Sequence, residues 1–267
     1  MIDILKAKKT FKEYVKNYNP NNGKIALKIS HIERTANISK KTAEELNLEK
    51  EDVQLAELIG LLHDIGRFEQ IKRYNTFMDK DSINHGEFGV KLLFKDGLIK
   101  DFIDDRKYDS IIYKAILNHN RSKIESNLTD KELLHSKIIR DSDKTDIMYT
   151  LTYETIENTY CCKDISKEKI TDQILKEYMS YRKINYNNIT THADIFVAHM
   201  AYVFDFNFDY GLKIISDNNY LSELLNKVEF KDEETRKRAN LVYSIADDYV
   251  ENRVKEDIYN GKKITNY

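Results

Sequence analysis

Apolar residues recur at three- and four-residue spacings along most of the chain, the period of helices with one buried face. Over 24–46, Ile25, Ile29, Ile32, Ala36, Ala43 and Leu46 form one apolar stripe, with His31 beside it near the predicted helix start. Over 51–63, Val53, Leu55, Ala56, Leu58, Ile59, Leu61 and Leu62 are apolar nearly all round, which predicts the central element of a helical body. Weaker patterns predict helices over 1–18, from His85 through Phe94, over 107–118 and over 130–144. The stretch Asn19-Pro20-Asn21-Asn22-Gly23 is turn chemistry and closes the first of them. Residues 68–84 are polar and aromatic without a period, which predicts a loop long enough to be functional. Farther on, 190–206 reads as a buried helix and 234–259 as a long amphipathic surface helix. No linker, repeat or low-complexity tract interrupts these patterns. They predict one all-α domain: an N-terminal helix over 1–22, a core over 23–150, and a C-terminal helical extension over 151–267 packed on that core.

Composition sharpens this picture in a few places. One proline and eight glycines among 267 residues suit long uninterrupted helices. The formal net charge is -2, with acidic and basic residues interspersed, so no basic face marks a nucleic-acid or anionic-membrane partner. No apolar run approaches the ~20 residues that span a bilayer, and the N-terminal stretch meets Asp3 too early for a signal peptide. Cys161 and Cys162 are adjacent, and two reduced thiols are their simplest state. The expectation is a soluble cytoplasmic protein without a membrane partner; homo-oligomerisation stays open.

Candidate chemistry centres on Leu61-Leu62-His63-Asp64-Ile65-Gly66-Arg67, an imidazole and a carboxylate delivered side by side to the end of a buried helix. Helix neighbours point about 100° apart, so the two reach one point only near that end. A divalent cation would hold them there, and so would a plain buried His–Asp hydrogen bond. Four further residues occupy comparable places on separate predicted helices: His31, His85, His119 and Asp141, the last within Ile139-Arg140-Asp141-Ser142-Asp143-Lys144. Antiparallel helices with short connections would bring such ends to one pocket.

In its order and flanking residues, the set His31, His63-Asp64, His85, His119 and Asp141 resembles the HD-domain superfamily of metal-dependent phosphohydrolases over residues 25–150. The resemblance implies an HD-type core over 23–150. It implies a first metal on His31, His63, Asp64 and Asp141, and a second on His85 and His119 with Asp64 bridging. The donors are nitrogen and oxygen without thiolate, so one or two divalent ions among Fe, Mn, Co, Ni, Mg and Zn are expected. The implied reaction is hydrolysis, by a metal-activated water, of a phosphomonoester, phosphodiester or phosphoanhydride of a small molecule, with a nucleotide as the expected substrate. Asp64, Arg67 and Lys144 are the expected catalytic residues, the two cations as phosphate contacts, with Arg121 and Arg73 as weaker candidates. For Arg67 and Lys144 an ion pair with Glu69 or Asp143 stays open. Glu69 could shuttle a proton, and Tyr74 and Phe77 either stack on a base or pack their own loop. His135 is expected in solvent, and His192 and His199 as core or surface groups.

The competing class is an HD-type module that senses a nucleotide without turnover. A nuclease is disfavoured by the even charge pattern. Alarmone hydrolases carry a Glu-Asp pair after their His-Asp motif, and the cyclic-dinucleotide branch carries a Gly-Tyr-Pro element. Ile65-Gly66-Arg67-Phe68-Glu69 lacks the first, and the only proline, Pro20, excludes the second.

Overall fold

The computed structural model describes residues 2–160 and 162–264. Met1 and Cys161 lie outside them, so the vicinal cysteine pair is seen only as Cys162, a half-buried free thiol. The described residues contain helices and no strand. They fall into two compact units, Met1–Asp146 and Ile147–Tyr267, where the sequence pattern suggested one body with cuts at 22 and 150. The reason is that buried apolar residues form two separate clusters, one in each unit.

In the first unit, α1 (Ile4–Val15) starts at Asp3, whose carboxylate accepts from Lys6 N, and buries Ala7 and Phe11. It therefore belongs to the first core, where Phe11 meets the ring of Phe68 edge-on at 6.0 Å. The Asn22 side chain caps α2 (Gly23–Glu45). This helix packs along α3 (Lys50–Leu62), whose Leu58, Ile59 and Leu62 are fully buried. Small residues set their separation, for a Cβ on Gly60 would stand 2.6 Å from Ala36 Cα.

Residues 68–84 are not one loop. A fourth helix, α4 (Gly66–Tyr74), occupies the first part and ends at Asn75 in the left-handed region. Only Phe68 and Ile71 give it apolar buried positions, too few for a period. α5 (His85–Val90) follows, capped by the Asn84 side chain and continued by a wider turn over Lys91–Lys95. Then come α6 (Ile99–Phe102), α7 (Asp109–His119) and α8 (Asp130–Tyr153). The last runs nine residues past the predicted end at 144. Its polar stretch does not stop it, because Ser142 and Thr145 return their hydroxyls to the carbonyls of Ile138 and Asp141, both at 2.8 Å.

The second unit comprises α9 (Ile156–Tyr160), α10 (Asp172–Tyr181), α11 (His192–Met200), α12 (Asp209–Asp217), α13 (Tyr220–Asn226) and α14 (Glu233–Ile264). Phe196, Phe230 and Tyr178 fill its core, and the Tyr178 hydroxyl donates to Val242 O at 2.7 Å. The helix expected over 190–206 starts at His192, behind a reciprocal Thr191–Asp194 cap, and tightens to a 3-10 turn over Ala201–Asp205. His199 is buried in this core, and His192 is partly exposed against Glu168. No helix among the described residues is long and apolar enough to cross a membrane.

Candidate metal centre

Five helices of the first unit supply the site. α2 brings His31 from its third turn, the end of α3 brings His63 and Asp64, α5 begins with His85, and α7 ends with His119. α8 adds a carboxylate, Asp143. Gly66 explains how the chain turns so sharply after Asp64. A Cβ there would lie 2.4 Å from His85 O and 2.8 Å from Gly89 N, so only glycine lets α4 approach α5 closely enough to put His85 beside Asp64.

The four imidazoles turn their Nε2 atoms inward in two pairs. His31 and His63 are 3.3 Å apart at Nε2, and His85 and His119 are 3.0 Å apart. Asp64 stands between the pairs and gives one oxygen to each. Its Oδ2 lies 3.5 Å from His31 Nε2 and 3.6 Å from His63 Nε2. Its Oδ1 lies 3.4 Å from His85 Nε2 and 3.7 Å from His119 Nε2. Asp143 Oδ1 closes the first group at 3.1 Å from His31 and 3.6 Å from His63. His31, His63 and Asp64, and again Asp64, His85 and His119, are buried groups whose donor atoms could hold a metal ion.

The outer nitrogens fix the rings. His63 Nδ1 donates to Gly60 O at 2.7 Å, and His119 Nδ1 donates to Ile116 O at 2.6 Å. His31 Nδ1 meets Asp146 Oδ2 and His85 Nδ1 meets Asp79 Oδ2, both at 2.6 Å. Carbonyls and carboxylates only accept, so each Nδ1 carries a proton, and a ring in its neutral form presents its lone pair at Nε2. In the second group two ring nitrogens stand 3.0 Å apart, next to Asp64 Oδ1, a buried oxygen without a hydrogen-bond donor. Such a set repels itself unless a cation sits among its atoms, so the residues fit a metal of the nitrogen-and-oxygen class.

The electrostatics agree. Burial and the nearby Arg67 charge, against the pull of Asp79, bring the His85 pKa down to about 4, which keeps its ring neutral. Burial would raise Asp64, but Lys28 and the surrounding imidazoles hold it well below the usual carboxylate range. Asp143 is likewise held low against burial by His31 and His63. Burial and Lys28 push His31 down, yet the carboxylates of Asp143, Asp146 and Asp64 carry it up to about 10, so a proton on this ring does part of a cation's work.

Several sequence expectations change here. Asp143, two residues beyond the expected Asp141, faces the imidazoles of His31 and His63. Residues two apart on a helix point about 200° from one another, so the two carboxylates leave α8 in different directions. Residues three apart share a face, and Arg140, Asp143 and Asp146 form the stripe on the site side. Arg140 Nη1 donates to Asn118 O at 3.0 Å and to Arg121 O at 2.5 Å, tying down the end of α7 that carries His119. Arg67 is a brace: its Nη1 donates to Gln70 Oε1, Phe77 O and Asp79 Oδ1 at 2.7–2.9 Å, and its Nε faces Asp64 Oδ1 at 3.5 Å. Lys28 reaches the site, its Nζ donating to Asp64 Oδ2 at 2.6 Å; Lys144 is half-buried on α8 beside Asp143. Arg121 pairs with Glu125, and Arg73 with Glu69, which also accepts from Tyr18. His135 is buried against Asp52 at 3.2 Å instead of solvated. Phe77 stands over both Lys28 and Arg67, while Tyr74 is 46 % exposed.

Asp79 and Asp146 escaped the sequence reading because a lone aspartate in a polar stretch carries no pattern. Removing either frees an imidazole to rotate. Asp79→Asn and Asp146→Asn are each expected to weaken Mn²⁺ binding by about 10–100-fold in calorimetry, with the helical circular dichroism unchanged. Binding within twofold of wild type would remove them from the centre.

Among known families, the HD domain model matches residues 29–148. No curated protein and no solved structure matches the sequence. The matched stretch holds every residue of the two groups, from His31 to Asp146, together with the all-α arrangement that brings them together. Over residues 29–148 the chain is similar to the HD domain, the family that the sequence resemblance pointed to.

Proposed function

We propose that the chain hydrolyses a phosphoester or phosphoanhydride of a small molecule, a nucleotide before others. The observation that carries this reading is Asp64, which divides its two buried oxygens between two pairs of imidazoles. When bound, divalent ions supply Lewis acidity toward a phosphoryl oxygen and an acidified water. The chain's own residues do the rest. His31, His63, Asp64 and Asp143 would hold one ion, and Asp64, His85 and His119 the other. Asp146, Asp79, Gly60 O and Ile116 O keep the rings from turning, so no reorganisation is needed during reaction.

The access side follows from exposure. His63 and Asp64 are almost fully covered, whereas Lys28, Arg67, Asp143 and Asp79 have side chains 13–29 % exposed. An anionic group entering there meets Lys28 and Arg67, which offset charge on a phosphate. Phe77, whose ring lies beside Lys28 and Arg67, supports a substrate that carries a base. Protein stripped with chelator is expected to lose turnover of p-nitrophenyl phosphate and of a panel of nucleoside mono-, di- and triphosphates. Mn²⁺, Co²⁺, Ni²⁺, Fe²⁺ or Mg²⁺ should restore it. Protein that binds metal and turns over none of these would leave the nucleotide-sensing module as the better reading.

A further inference from the structure

Lys28 lies one turn before His31 on α2, the same face of the helix, and its ammonium sits 2.6 Å from Asp64 Oδ2. That oxygen is the one Asp64 turns toward His31 and His63. The ammonium therefore occupies a coordinating position of the first group, not merely its surroundings. The neighbouring cations are tied elsewhere: Arg34 grips both oxygens of Asp146, and Arg67 Nη1 reaches three acceptors. Lys28 has a flexible four-carbon stem and a side chain 15 % exposed, and its Nζ stands 5.4 Å from the centre of the Phe77 ring, at the open side of the site.

We propose that Lys28 exchanges partners. In the metal-free protein it neutralises Asp64 in place of an ion; when an ion binds to His31, His63 and Asp64, the ammonium moves off the carboxylate and contacts the phosphate of the substrate. A divalent ion and an ammonium cannot share Asp64 Oδ2, because they repel at such distances and compete for the same lone pairs. An ammonium left half-buried without an anion is costly, and an incoming phosphate relieves that cost. The metal half of this exchange is independent of the proposed reaction; the phosphate half rests on it.

Lys28 is then a built-in competitor that lowers apparent metal affinity. Chelator-treated, desalted Lys28→Met protein is expected to bind Mn²⁺ about tenfold more tightly than wild type in calorimetry. Inorganic phosphate should bind Mn²⁺-loaded Lys28→Met about tenfold more weakly than loaded wild type, and Lys28→Arg, which keeps the charge, should restore most of that loss. If Lys28 merely positioned Asp64, its removal would weaken Mn²⁺ binding, so affinity equal to or below wild type overturns the exchange. Tighter Mn²⁺ binding with unchanged phosphate affinity overturns the hand-over to substrate. Loaded wild type that takes up no phosphate counts against the phosphohydrolase reading, while the Mn²⁺ comparison still decides the exchange at Asp64. Lys28→Gln, folded by circular dichroism, repeats the comparison should the methionine variant fail to fold.

Discussion

Asp64→Asn is expected to lower kcat/KM by on the order of a thousandfold or more, ~4 kcal/mol of transition-state stabilisation, and to remove most bound metal. Asp64 lies within 3.7 Å of both imidazole pairs. The amide has no negative charge, and one of its two terminal atoms becomes an NH₂ group. Either Oδ2, between His31 and His63, or Oδ1, between His85 and His119, is thereby replaced by a donor aimed at nitrogen lone pairs. The variant should still fold, since α3 around it is held by Leu58, Ile59 and Leu62, and since the change removes a buried charge. Metal analysis of chelator-free preparations and the phosphoester panel read the two effects separately. Retention of metal and of a rate within tenfold of wild type would mean that Asp64 does not join the two groups.

The second large effect separates two aspartates that sequence could not distinguish. Asp143→Asn is expected to cost about a hundredfold in kcat/KM, ~2.7 kcal/mol, because the Asp143 carboxylate on α8 faces both His31 and His63 at Nε2. Asp141→Asn should leave metal content and rate within about threefold of wild type and act on stability instead, by ~1–3 kcal/mol, as loss of a buried polar group's pairing does. Thermal unfolding and metal titration of the pair give a crossed pattern. The reverse pattern, with Asp141→Asn losing metal and Asp143→Asn keeping it, would show that α8 presents its other face.

Much of the centre was legible one helix at a time. The apolar periods of α2 and α3 are strong because each buries a continuous face, that of α7 is weaker, and His31, His63 and His119 lie where those faces meet polar chain. The Asp64-Ile65-Gly66 turn left its trace in glycine, which a close backbone approach requires. Other parts left no local trace. α4 buries too little apolar surface to show a period, and its nine residues hid among charges. Asp79, Asp146 and Lys28 act across 6, 115 and 36 positions of sequence, on partners that only folding brings near. His135 looked solvated beside Lys131 and Glu132, and Asp52 from α3 covers it.

What the amino-acid order determined by itself was therefore the set of helices, their buried faces, and which nitrogen donors stand at or near helix ends. These depend on residues within a turn or two of one another, and a local period records them. Tertiary structure alone decided which carboxylate of α8 faces inward, which anions lock the imidazoles, how Asp64 shares its oxygens, and which lysine meets it. Those outcomes depend on the rotation of each helix about its axis and on distances between helices, and a sequence pattern fixes a helix's rotation only as closely as its apolar stripe is narrow.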